Sequence, residues 1–223
     1  MSSTHFDTLL EEADGYARAG QWQETFDRLT EAAAEEPQHA GVVTGLGTCL
    51  IKLGRLDEAL AYFQKAAQLA PLSPEAHNNV GVTYALLGQV SAAEAAYRKA
   101  LECDSEHVPA WKNLAQLYMQ QGRIDEGVPI LATLVKKHPD DWEALTLMAA
   151  CYEDGEDAES ARTLYREALK YQPDNADAKA GLARLSPPPA DLTHIARPEH
   201  AKKLAALKNL STLKPGAPPS PKV

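Results

Sequence analysis

The sequence predicts an all-α chain, a solenoid of five helix–turn–helix repeats closed by one capping helix. Three observations predict it. Prolines precede new helix pairs at Pro37, Pro71, Pro139 and Pro173, with Ser105 where the missing one would fall, which fixes a period of 34 residues. An apolar set recurs inside that period at helical spacing. Gly20, Gly54, Gly88 and Gly122 separate the two halves of the first four repeats. Each hairpin then buries its apolar face on its neighbours instead of sharing one globular core.

The repeats run over about 6–39, 40–73, 74–107, 108–141 and 142–175, and 176–186 is the capping helix. In the fourth, the first helix carries Trp111, Leu114, Ala115 and Tyr118. The same frame reads His77-Val80-Gly81-Tyr84, Val43-Leu46-Gly47-Leu50 and Leu145-Met148-Ala149-Tyr152, and more weakly Leu9-Glu12-Ala13-Tyr16. The second helix repeats a large residue between small ones: Ala59-Phe63-Ala66, Ala93-Tyr97-Ala100 and Ala161-Tyr165-Ala168, with Thr25-Leu29-Ala32 and Gly127-Leu131-Leu134 as variants. Small residues let two helices approach, and the aromatics fill the space beside them.

This large–small code resembles the tetratricopeptide repeat over roughly residues 6–186. The resemblance implies a right-handed superhelix whose first helices line a concave groove. Glu12 and Thr25 depart from the pattern in the first repeat, as a terminal repeat facing water allows.

The expected boundaries follow from local chemistry. The four glycines suit a left-handed cap. In the fifth repeat Gly155 comes one position early, so a different turn is expected. Ser73-Pro74 reads as N-cap and first helical residue. Ser91 and Glu94 have capping-box spacing. Asp57, Asp125, Asp141 and Asn175 are the other expected N-caps, and Pro129 is placed near a helix's first turn.

Composition changes at Ser186, after which lie eight of the fifteen prolines. Residues 187–223 read as a Pro-rich basic tail, largely disordered, with a short helix at 198–210. There Leu204, Leu207 and Leu210 share a face edged by Lys202, Lys203 and Lys208. The tail carries +4, which leaves −13 on residues 1–186 of a chain at −9. An acidic body argues against nucleic acid as a partner. No apolar run is long enough for a membrane span, and the start lacks the pattern of a secretory signal. The expected location is cytoplasmic. Cys49, Cys103 and Cys151 have neither zinc nor disulfide spacing, so they read as small hydrophobes.

The resemblance also assigns groove positions: the second, fifth, sixth, ninth, twelfth and thirteenth of each repeat. They hold Asn78 and Asn79, then Lys112, Asn113, Gln116, Met119 and Gln120, then Glu143, Glu153 and Asp154. Asn79 and Asn113 share one slot in successive repeats, and an amide both donates to and accepts from a peptide backbone. A chaperone-tail clamp, which grips a carboxylate, does not fit, because Glu143 and Leu147 stand where cations are needed. The fifth repeat's acids, with Glu156 and Asp157 nearby, favour a basic segment. The chain's own residues 198–214 are one such segment.

No catalytic or metal motif appears among the seven histidines, and Gly41, Gly45 and Gly47 lie in a helix with no strand before it. The expected protein is not an enzyme and carries no cofactor or metal. The reading is a protein–protein adaptor that holds an extended or helical segment in the groove. Two alternatives stay open: a regulatory or assembly subunit of an enzyme complex acting through the basic tail, and a self-assembling oligomer.

Overall fold

The computed structural model describes residues 3–185, and every regular element among them is helical. The predicted tail, its helix at 198–210 and the docking of 198–214 lie outside the described residues. First helices are α1 (Ser3–Arg18), α3 (Ala40–Lys52), α5 (Pro74–Leu86), α7 (Val108–Gln120) and α9 (Trp142–Asp154). Second helices are α2 (Trp22–Glu35), α4 (Leu56–Leu69), α6 (Val90–Cys103), α8 (Ile124–Lys137) and α10 (Ala158–Tyr171). A last helix, α11, spans Ala176–Arg184. From α4 onward every helix starts 34 residues after its equivalent in the preceding repeat. The chain divides into two compact bodies, Met1–Leu117 and Tyr118–Val223.

In the first body, Phe6, Leu9 and Ala13 of α1 pack with Leu29 and Ala32 of α2 and with Val42, Leu46 and Cys49 of α3. A second cluster joins Leu50, Ala59, Phe63, Val80 and Ala96. The large–small code has a steric cause here. A Cβ added at Gly81 would lie 2.6 Å from the Tyr97 ring, and one at Gly47 would lie 2.9 Å from Phe63. His77 and Trp111 occupy equivalent slots and act alike. Their ring nitrogens bond the carbonyls of Pro71 (2.9 Å) and Ser105 (2.8 Å) in the turn before each helix. In the second body, Leu145 and Ala149 of α9 pack on Ala161, Tyr165 and Ala168 of α10, and Ala178 of α11 joins them.

The turns correct part of the sequence reading. Gly20, Gly54, Gly88 and Gly122 take φ of 73°, 74°, 71° and 69°, as the cap requires. In the fifth repeat the left-handed position is kept, at φ 62°, but Glu156 occupies it and Gly155 does not. Ser73, Asp141 and Asn175 are N-caps whose side chains accept backbone N–H groups. Asp57, Asp125 and Ser91 are not. The N-caps of α4, α8 and α6 are Arg55, Arg123 and Gln89, and Asp57, Asp125 and Ser91 sit inside the first turn. At two of these starts a pair replaces the cap: Arg55 and Arg123 each bond a glutamate three residues on, Glu58 and Glu126, at 2.6–2.8 Å. A carboxylate there also meets the positive end of the helix dipole. Glu94 pairs with Arg98 at 2.9 Å in place of a capping box. Pro129 is the sixth residue of α8, past the first turn, so an interior N–H bond is forgone.

Candidate functional site

The predicted polar positions fall into two groups, one in each body. In the first, α5 and residues 108–117 of α7 carry Asn78, Asn79, Lys112, Asn113 and Gln116. Repeat packing puts the helices side by side, and the two are joined directly. The Asn113 side-chain amide donates to Asn78 Oδ1 at 2.9 Å. Asn78 is 8% exposed, so its polar atoms are committed to the packing between repeats. The asparagines that meet are therefore 78 and 113. Asn79 is half-buried, as are Lys112 and Asn113, while Gln116 is exposed. At Gly45, the equivalent position in the second repeat, a Cβ would lie 2.8 Å from Leu29 of α2.

One residue beside them escaped the sequence reading. Leu86 is 53% exposed. It lies at the thirteenth position of its repeat, inside the groove frame, where no polar group marks it. Asn79, Val82 and Leu86, spaced by three and four, form a stripe along α5. Thr83 is buried, and its hydroxyl donates to the Asn79 carbonyl at 2.8 Å. Tyr84 accepts from the Gln64 amide at 2.9 Å.

The second body holds Met119, Gln120, Glu143, Glu153 and Asp154. Gln120, Glu143 and Asp154 are exposed and Met119 is half-buried. Tyr118 is buried, with the Arg123 guanidinium 4.2 Å above its ring. Glu153 has a different employment. Its carboxylate receives Arg184 Nε at 2.7 Å and Nη2 at 3.0 Å, and the Tyr165 hydroxyl at 2.9 Å. The Arg184 bonds, with help from Tyr165, hold its carboxyl below the usual range against the opposing effect of burial. Glu153 thus anchors α11. Asp157 is spent on the N-cap of α10, where it accepts Ser160 N at 3.2 Å. Of the acids that suggested a basic ligand, these two serve the fold. Among the described residues no cluster of His, Cys, Asp or Glu is arranged to hold a metal. None of the described helices is long and apolar enough to cross a membrane.

The tetratricopeptide repeat sequence profile matches residues 16–80 and 84–151, and a second profile of the same repeat matches 152–186. The chain belongs to the tetratricopeptide repeat family. Members of this family generally mediate protein–protein interactions and assemblies, and the fold typically serves as a non-catalytic scaffold. A cellulose synthase operon protein C of Xanthomonas axonopodis pv. citri is 34% identical over 140 residues, 59% of this chain but 9% of that protein. The chain spans only about a tenth of the first curated relatives it matches. Among solved structures, pilF of Pseudomonas aeruginosa superposes with TM-score 0.71 at 16% identity, covering 82% of this chain and 83% of that one. A thermophilic repeat protein of Thermus thermophilus gives TM-score 0.69 at 18% identity, covering 81% and 98%. These likenesses carry the fold.

Proposed function

We propose that this tetratricopeptide chain is a non-catalytic adaptor that holds a segment of another protein on the faces of its first helices. The observation that carries the reading is the stripe on α5. Asn79 and Val82 are half-buried and Leu86 is half-exposed, one side chain after another on a single rigid helix. Neighbouring Gln116 adds an exposed amide. Such a surface is preorganised, so the ordering cost of binding falls mainly on the ligand. Met119, Gln120, Glu143 and Asp154 offer a second set of contacts in the second body. Free, buried Cys49 and Cys151 support a reducing, cytoplasmic location.

Affinity capture with mass spectrometry tests this reading. Full-length protein is compared with an Asn79→Ala/Leu86→Ala variant of unchanged helicity. Loss of a specific partner from the variant supports the groove. Full retention of every partner overturns it.

A further inference from the structure

We propose that the α5-centred face of the first body takes an acidic segment of another protein, which seats an apolar side chain on Leu86. The inference rests on the adaptor reading and adds the chemistry of the partner.

The distribution of charge carries it. The body is strongly acidic, yet a single acid, Glu75, lies on α3, α5 and residues 108–117 of α7 together. Helix α3 contains Lys52 and no acid, and residues 108–117 of α7 contain Lys112 and no acid. Helix α5 has one acid, Glu75, exposed in its first turn and one turn before Asn79 on the same side of the helix. The carboxylates lie instead on α1 and on the second helices, Glu31, Glu58 and Glu102 among them. In a chain carrying −13 on residues 1–186, three helical stretches with two lysines against one carboxylate are a local reversal of sign.

The geometry adds a seat. Lys52 and Leu86 occupy the same slot of successive repeats, one exposed cation beside one exposed leucine. Lys52 Nζ stands 5.6 Å from the centroid of the Trp22 ring, which positions the ammonium. An acidic segment is repelled by the surrounding surface and admitted here, which is how charge complementarity supplies specificity. A basic segment finds one carboxylate, Glu75, at the start of the stripe and none beside Leu86. Leu86 then contributes apolar burial, and the attraction to Lys52 weakens with salt.

The probe is a displayed library of random twelve-residue peptides selected against the full-length chain. Enriched peptides should combine Asp or Glu with a large apolar residue. They should bind about tenfold more weakly to Lys52→Glu and to Leu86→Asp, a change of about 1.4 kcal/mol. Both positions are exposed, and circular dichroism checks that the variants stay folded. Enriched peptides that are neutral or basic, yet depend on Leu86, overturn this inference and leave the adaptor reading standing. Peptides indifferent to Asn79, Lys52 and Leu86 overturn both. No enrichment overturns the inference. A concentration-dependent mass that Leu86→Asp abolishes would seat a second copy there, and also overturns it.

Discussion

Arg184 and Glu153 form a two-bonded pair, at 2.7 and 3.0 Å, that ties the end of α11 to the end of α9. The Tyr165 hydroxyl completes the set at 2.9 Å, and Arg162 bonds the Leu185 carbonyl from the other side. Glu153 is 19% exposed and Arg184 59%, so solvent screens the pair and its worth is about 1 kcal/mol or less.

That pair makes the second body sensitive to acid. Its partners lower the Glu153 carboxyl below the ordinary value in the folded state. Its contribution is therefore complete above the ordinary carboxylate pKa and is lost as pH falls through the folded value. Between about pH 5 and 3, the wild type should lose stability more steeply than Glu153→Gln. Urea denaturation at several pH values checks this. Parallel slopes for the two proteins would mean the pair is energetically silent.

Gly181 lets α11 dock. A Cβ there would overlap the Tyr165 ring. Gly181→Ala should cost about 1–3 kcal/mol by overpacking. The loss should appear as faster hydrogen exchange in α11, and Tyr165→Leu in the same chain should recover part of it. Unchanged exchange would show that the ring moves aside freely.

Glu156→Gly should stabilise the fifth turn. A left-handed residue with a Cβ costs about 1–2 kcal/mol, and glycine gives back about 0.5–1 in unfolded-state entropy, so a net gain of about 0.5–1 kcal/mol is expected. Thermal unfolding measures it. A loss of stability would mean that the Glu156 side chain contributes more than its backbone costs.

The same turn shows how far the sequence was legible. The 34-residue period specified every helix start from α2 onward, because packing of equivalent residues enforces it. A glycine one place early did not reveal which residue turns left-handed, because the register of the next helix decides that. Asp57 and Asp125 looked like caps, but composition cannot separate a cap from a first-turn acid when both suit the helix dipole. At the site, the frame placed the candidate residues on first helices. It did not show that Asn78 and Glu153 are consumed by packing, since pairing between repeats depends on side-chain direction.

The thiols should report burial. Cys49 and Cys151 are each 2% exposed, whereas Cys103 is partly exposed and its thiol lies 3.8 Å from the Pro71 carbonyl. Burial, with a smaller contribution from Asp154, pushes the Cys151 thiol up to about 11. It is therefore protonated and a poor nucleophile at neutral pH. A thiol-reactive chromophore should label one site promptly in the native protein and three in denaturant. Prompt labelling of Cys151 would show that the second body opens easily.

The Asn113–Asn78 bond separates structure from binding at the polar positions. Its acceptor belongs to a residue 8% exposed, so Asn113→Leu strands a buried oxygen at a cost of about 1–3 kcal/mol. Removing both polar groups as Asn78→Leu/Asn113→Leu should cost less than the two single changes together. The coupling should fall at about 0.5–3 kcal/mol. Asn79→Ala serves as the contrast, because Asn79 is only half-buried: its effect on stability should be small and its effect on partner capture large. The opposite pattern, with Asn79→Ala unfolding the chain and the 78/113 pair additive, would place the binding amide on Asn113 and the structural one on Asn79.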